Sequence, residues 1–170
     1  MSIVGIDLSS RAIDLCTLPE DSNDAEHFRV RIDLPSGASP TERIRRLRDR
    51  MPARTAWADA GVSLLAIELP FSRTPNPAML FVYGGLLQLV PASLSLLELR
   101  SDDWRPHCLI PIRKPRDADS DWHKHRALEF ARELWTNPPE TLDHNAAESF
   151  CIAYAAREID LRVEKGAAAA

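Results

Sequence analysis

The stretch VSLLAIELP at residues 62–70 constrains the fold most. It is apolar almost throughout, is interrupted by Glu68 and stops at Pro70. A run of this length without polar alternation fits a strand covered on both faces, as in a parallel sheet sandwiched between helices. The amino-terminal stretch SIVGIDLSS at residues 2–10 reads the same way, and it too carries one acid, Asp7. A carboxylate in such a strand is costly unless water, a cation or a partner charge compensates it.

The remaining elements fall around these two strands. Residues 12–18 form a second strand after the polar turn Ser9-Ser10-Arg11, and residues 27–34 alternate as a third. Short strands joined by such turns make an antiparallel meander. Ser39-Pro40-Thr41-Glu42 reads as an N-cap with proline at the first helical position, starting a helix to about residue 52. A helix over 78–90 carries Gly84-Gly85, a pair that predicts close backbone packing, and 94–99 is the fifth strand. Residues 102–118, rich in proline and basic side chains, read as irregular. A helix from 119 or 120 ends at Asn137-Pro138-Pro139, and the last helix runs from 143 or 144 to 159.

The order β-β-β-α-β-α-β-α-α predicts an α/β domain. Its mixed five-stranded sheet has three antiparallel strands followed by parallel ones, with helices on both faces. One domain over residues 1–160 is expected, with 161–170 as a carboxyl-terminal tail. On the second strand, Asp14 is expected to face solvent.

Charge and cysteine usage narrow the function classes. The net charge of −4 disfavours a generic nucleic-acid binder. Basic residues are clustered, however: one group spans Arg43, Arg45, Arg46, Arg48, Arg50 and Arg54, and another holds Arg100, Arg105, Arg113, Lys114 and Arg116. Three widely spaced cysteines without a CxxC fit a reduced, cytoplasmic protein without structural zinc. Neither a signal peptide nor a membrane span is read from the sequence. His123 and His125 lie two residues apart, on different faces of a helix, and so do not share an ion.

The informative residues are the acids in apolar surroundings. If the first and fourth strands are neighbours, Asp7 and Glu68 project close together, and the apolar helix NAAESFCIAYAA adds Glu148. Taken singly, each has a plain reading as a solvated, arginine-paired or helix-dipole acid. Together, without basic partners, they repel one another, and a divalent cation relieves that repulsion. All-oxygen sites suit Mg²⁺ or Mn²⁺, and two such ions activate water and stabilise the leaving oxygen of a phosphodiester.

Read in order, IVGIDLSSRAIDLCTL, LLAIELPF and DHNAAESFCIAYAA resemble the three acidic motifs of RuvC-like Holliday junction resolvases, which have the RNase H-like fold. That family shows a strand ending in G-I-D, a strand ending in E-x-x-F, and a helix with an acidic motif among small residues. GGLLQLV and LELRSDDWRPHCL resemble segments between these motifs, so the likeness spans residues 3–156.

The resemblance implies a metal-dependent endonuclease that cuts four-way junctions or related branched DNA as a homodimer, with two Mg²⁺ or Mn²⁺ ions. It implies catalytic and metal-binding roles for Asp7, Glu68 and Glu148, with Asp143, His144 or Asn145 completing the site. The departures are Asn145, where the family has an acid or histidine three residues before the last acid, and Glu148 in place of aspartate. Lys124 matches a phosphate-contacting lysine loosely, and Arg113, Lys114 and Arg116 match the basic loop that binds DNA; a solvated loop is the alternative. Phe71 either contacts an unstacked base or packs in the core.

A compact enzyme of this kind suits a phage or mobile element. Two other functions compete: a catalytically inactive module that binds branched DNA, and an actin-like or sugar-kinase-type ATP-binding domain, which also begins with a G-I-D-L strand.

Overall fold

The computed structural model describes residues 1–168 other than 10, 36, 52–56, 58–59, 71–75 and 110–112. Its strands are β1 (Ser2–Leu8), β2 (Ala12–Pro19), β3 (Glu26–Arg31), β4 (Val62–Glu68) and β5 (Ser95–Leu99). Its helices are α1 (Pro40–Arg50), α2 (Pro77–Leu89), α3 (Ser101–Cys108), α4 (Trp122–Leu134) and α5 (His144–Ala168). The strands form one sheet in the order β3-β2-β1-β4-β5. β1 pairs antiparallel with β2, which pairs antiparallel with β3; the β1–β4 and β4–β5 pairs are parallel. The mixed sheet is thus the one expected, with β1 and β4 at its centre.

Period-two alternation along the strands builds two cores. Val4, Ile6, Leu8, Ile13, Leu15, Leu65 and Ile67 face α1 and α2, where Leu47, Val82 and Leu86 meet them. Ile3, Cys16, Leu18, Leu64, Ala66 and Leu99 face the other way, onto α3, α4 and α5. On that side the rings of Trp135 and Phe150 stack at 4.8 Å, and Trp135 Nε1 donates to the Ala25 carbonyl at 2.9 Å.

Helix α5 lies directly on the centre of the sheet. Its buried face is built from Ala146, Ala147, Ser149, Ala153 and Ala156, and on the strand beneath it sits Gly5. A Cβ at Gly5 would stand 2.2 Å from the Ser149 carbonyl oxygen and 2.3 Å from the Ala153 nitrogen. Both are backbone atoms and cannot step aside, so this crossing needs glycine. The contact sets the height of the helix above Asp7, two residues along β1.

Three features depart from the sequence reading. Residues 101–108 form a helix although Pro106 lies inside it. Trp104 and Cys108, one turn apart, are both buried, and this anchoring outweighs the backbone bond that proline removes. The Asp103 carboxylate also accepts the Arg100 N–H at 2.7 Å, closing the first turn. The last helix continues to Ala168 instead of ending at residue 159. Of the glycine pair, Gly85 is the closely packed one: a Cβ there would stand 3.3 Å from side-chain atoms of Ile44 and Leu47, whereas a Cβ at Gly84 would meet nothing within 4 Å. No helix among the described residues is long and apolar enough to cross a membrane.

These two environments predict opposite outcomes for one chemical change. Gly5→Ala is expected to cost about 3 kcal/mol or more through overpacking. Gly84→Ala, in an open helix interior, is expected to stabilise by up to about 1 kcal/mol. Urea unfolding midpoints of the two variants against the parent measure both.

Candidate active site

The site forms at the carboxyl-terminal ends of the two central strands. Parallel pairing of Gly5 with Ala66 and of Ile6 with Ile67 brings Asp7 and Glu68 level, just past the last pair. Alternation turns both toward α5, on the same side as Gly5 and Ala66. Glu148 precedes Ser149, whose carbonyl touches Gly5, so the helix crossing brings the third carboxylate over the other two.

The charges of the three acids act on one another. Burial, then Glu148, Glu68 and Asp14, hold the Asp7 carboxyl well above the usual carboxylate range. Burial, then Glu68, push Glu148 up to about 7, against the opposing pull of Arg105 and Lys124. Glu68 accepts a hydrogen bond from the hydroxyl of Ser101, at the start of α3. Among the described residues, no three acid, histidine or cysteine side chains are already arranged to hold one ion. The donor set nevertheless fits a hard divalent cation: three crowded carboxylates, short of positive partners, whose repulsion such an ion relieves.

Asp14, expected at the solvent face, is instead 1% exposed. Its strand position is opposite Asp7, and the register places Arg29 opposite it on β3. Arg29 Nε donates to Asp14 Oδ1 at 2.7 Å, and His27 Nε2 lies 2.8 Å from the same oxygen. The other end of the guanidinium reaches Asp143 Oδ1 at 2.7 Å. That oxygen also accepts the Ala146 N–H at 3.0 Å, which makes Asp143 the N-cap of α5. The Arg29 hydrogen bond is the main reason Asp143 sits at about 2. Asp143 is therefore engaged with Arg29 and the helix end, while His144 and Asn145 occupy the first turn of α5, half-buried. The sequence signal for Arg29 was the charged alternation His27-Arg29-Arg31 on an edge strand, legible only once the register was known.

The other candidates are spread around this centre. Lys124 lies near enough to act on Glu148 and pairs with Asp121 at 3.0 Å on its own helix. Arg113, Lys114 and Arg116 are exposed on the loop before α4. Phe71 lies outside the described residues. The sequence gives no signal for Ser101 and shows Arg105 only as one of a basic cluster, because Pro106 hides the helix they share; there, one turn apart, Ser101 donates to Glu68 and Arg105 lies near enough to act on Glu148.

No protein-family model matches this chain, and no curated protein matches it in sequence. Solved structures do match in fold. RuvC of Thermus thermophilus in complex with a Holliday junction substrate superposes with a TM-score of 0.67 at 14% identity, covering 95% of this chain and 96% of that one. A second Thermus thermophilus RuvC structure gives 0.65 at 14% identity, covering 95% and 97%. The Fowlpox virus resolvase in complex with Holliday junction DNA gives 0.55 at 13% identity, covering 95% and 99%. The chain has the RuvC-like RNase H fold.

Two predictions follow from the charges. Asp7 and Glu148 titrate above their unfolded values, so folding takes up protons. For Glu148 the associated stability is present below the unfolded value of 4.5 and is lost as pH rises through about 7; Asp7 acts in the same direction. In chelator, the protein is expected to be more stable at pH 5.5 than at pH 8. Glu148→Gln is expected to raise stability at pH 8 by roughly 2 kcal/mol, about 4–8 °C in Tm, and to flatten the pH dependence. Arg29→Met is expected to cost about 3 kcal/mol, because it leaves Asp14 buried without its counter-charge. Thermal melts across pH, with and without Mg²⁺, read both.

Proposed function

We propose that this protein is a metal-dependent, structure-selective DNA endonuclease that resolves Holliday junctions or related branched DNA. The observation that carries this reading is the convergence of Asp7, Glu68 and Glu148 at one end of the central strands. Burial, and then mutual repulsion, raise the proton affinity of Asp7 and Glu148 there. The shared fold adds support, since the RuvC and poxvirus resolvase structures with this architecture are complexes with Holliday junction DNA.

In this reading Asp7, Glu68 and Glu148 hold the ions, Mg²⁺ or Mn²⁺ and two in number. When bound, such ions supply an activated water and charge stabilisation at the leaving oxygen. The chain's own residues do the positioning. The Ser101 hydroxyl holds Glu68 in place from the side of α3. Asp143 fixes the start of α5 and with it the reach of Glu148. Of the three residues weighed for completing the site, Asn145 and His144 stay available on the first turn, and Asp143 acts through Arg29. Lys124, with Arg113, Lys114 and Arg116, draws the phosphate backbone toward the acids, and Phe71 is the aromatic assigned to an opened base at the branch point.

Two symmetric cuts need two copies. Helix α2 suits the dimer contact: it is apolar nearly all round, and Phe81 on its outer face is 41% exposed. Cytoplasmic location fits an enzyme acting on DNA.

One observation favours a second reading, a binding module without activity. Asp143 is engaged elsewhere, and no three donors among the described residues already share one ion.

The test is a synthetic four-way junction incubated with the protein, with and without Mg²⁺ or Mn²⁺. Paired, symmetric nicks that require the cation are expected. Asp7→Asn and Glu68→Gln are expected to reduce cleavage by about 10³-fold or more while leaving junction binding in place. Metal-independent binding with no nicks under any cation would establish the inactive module instead. Binding should weaken steeply with added salt.

A further inference from the structure

Strand β3 is one edge of the sheet, and among the described residues no strand pairs with its outer side. The register shows which main-chain groups it leaves open. β3 pairs Phe28 with Leu15 and Arg31 with Ala12, and the Ile32 N–H donates to the Arg11 carbonyl at 2.6 Å. Bonded residues alternate along an antiparallel ladder, so Glu26, Phe28, Val30 and Ile32 bond inward to β2. The N–H and C=O groups of His27, Arg29 and Arg31 then point outward. Arg50 agrees with this: its guanidinium, on α1, donates to the Arg31 carbonyl at 3.2 Å. The main-chain groups of His27 and Arg29 have no such cover among the described residues.

The two faces of β3 differ in chemistry. His27 and Arg29 turn to the α5 side, where both reach Asp14, and period two puts Arg31 on that face as well. Arg31 is exposed and forms no ion pair among the described residues. On the other face Val30 is buried, but Phe28 is 52% exposed. Phe28 borders an apolar cavity of about 110 Å³ whose walls include Val4, Leu15, Val62 and Trp57. No residue of α1 or α2 lines it.

An edge of this kind is a template for a further strand, and its charges decide which strand it accepts. A second copy, pairing antiparallel across a two-fold axis, sets the outward residues of β3 against each other. In the registers of fullest overlap Arg29 then lies opposite Arg29, His27 or Arg31, and like charges opposite one another oppose pairing. Acidic residues at those positions are favoured instead. Opposite Phe28 and Val30, the incoming strand needs apolar side chains.

We propose that the outer edge of β3 docks an extended segment of another protein, one in which acidic and apolar residues alternate, as a sixth strand of the sheet. Its main chain pairs with His27 and Arg29. Its acids meet Arg31 and, at the same end, Arg50. Its apolar side chains cover the Phe28 ring, and one reaches past it into the cavity. β2 separates this edge from Asp7, and the proposal does not depend on the endonuclease reading.

The probe is a capped, fluorophore-labelled peptide of about eight residues, an ordinary strand length, alternating glutamate and leucine. Fluorescence anisotropy measures its binding to the full-length protein. Two control peptides have the same composition: one groups the acids and the leucines in separate blocks, and one is N-methylated at every second amide. Both are expected to bind about 10-fold or more weakly, since one loses the pattern and the other the main-chain bonds. Phe28→Ser and Arg31→Glu change exposed side chains and are expected to keep the parent's urea midpoint while weakening the alternating peptide by about 5- to 10-fold. Amide exchange at His27 and Arg29 is expected to slow when that peptide binds. Phe28→Ser is expected to cut junctions as the parent does.

Equal affinity for the alternating and block peptides overturns the proposal, as does unchanged exchange at His27 and Arg29. So does an alternating peptide that fails to bind at about 1 mM. Self-association in sedimentation that Phe28→Ser abolishes assigns the edge to a second copy, and overturns it too.

Discussion

The site depends on a contact with no chemistry of its own, the seating of the α5 backbone on Gly5. Ser149 and Ala153 approach that residue so closely that any side chain there would collide with main-chain atoms. The alanines of α5 have the same function from the other side, bringing helix and sheet together along a smooth face. Because Asp7 is two residues from Gly5 and Glu148 is one residue before Ser149, the height of this crossing is also the spacing of the carboxylates. Packing and electrostatics are thus set by one contact. Close packing draws the acids together, and their repulsion works against it.

Buried charge on this face is managed by separation. Asp14 sits opposite Asp7 on the neighbouring strand, and two unpaired acids there would repel strongly. Arg29 offsets part of this repulsion, holding Asp14 with one nitrogen and Asp143 with another, and Asp14 still adds to the upward shift of Asp7. The acids thereby divide into two groups. Asp14 and Asp143 are neutralised by an arginine and a helix end, and they hold β2, β3 and α5 together. Asp7, Glu68 and Glu148 are left without such partners. A buried pair contributes little net stability against apolar packing. Its effect here is to lessen what the negative charge of the framework adds to that of the site.

Much of this was legible in the sequence. The apolar runs around Asp7 and Glu68 identified the central strands, and their order with the helices gave the mixed sheet. The three acids were found because each breaks an apolar pattern. Asp14 was misplaced for the same reason: alternation assigns a face, but it cannot tell a covered face from an open one, and α5 covers both Asp7 and Asp14. Its partners lie on an edge strand whose register no local pattern sets. The helix of residues 101–108 was hidden by Pro106, since local propensity does not include the burial of Trp104 and Cys108. Ser101 and Arg105 were missed along with it.

Charge balance connects the proposed parts. In the proposed reading, three carboxylates carry −3 and two divalent cations would bring +4. The remaining +1 matches the single charge of a phosphodiester, so the site is neutral with both ligands present. A fourth ionised carboxylate would leave it anionic and would weaken the hold on a phosphate. In that reading the count stays at three, since Asp143 is tied to Arg29 and a neutral residue, Asn145, stands three positions before Glu148. Arg105 and Lys124 temper the charge on Glu148 without outweighing its burial and the repulsion of Glu68. If the proposed reading holds, a cation and a phosphodiester offset one another's charge at the three acids, so cation and DNA are each expected to strengthen the binding of the other.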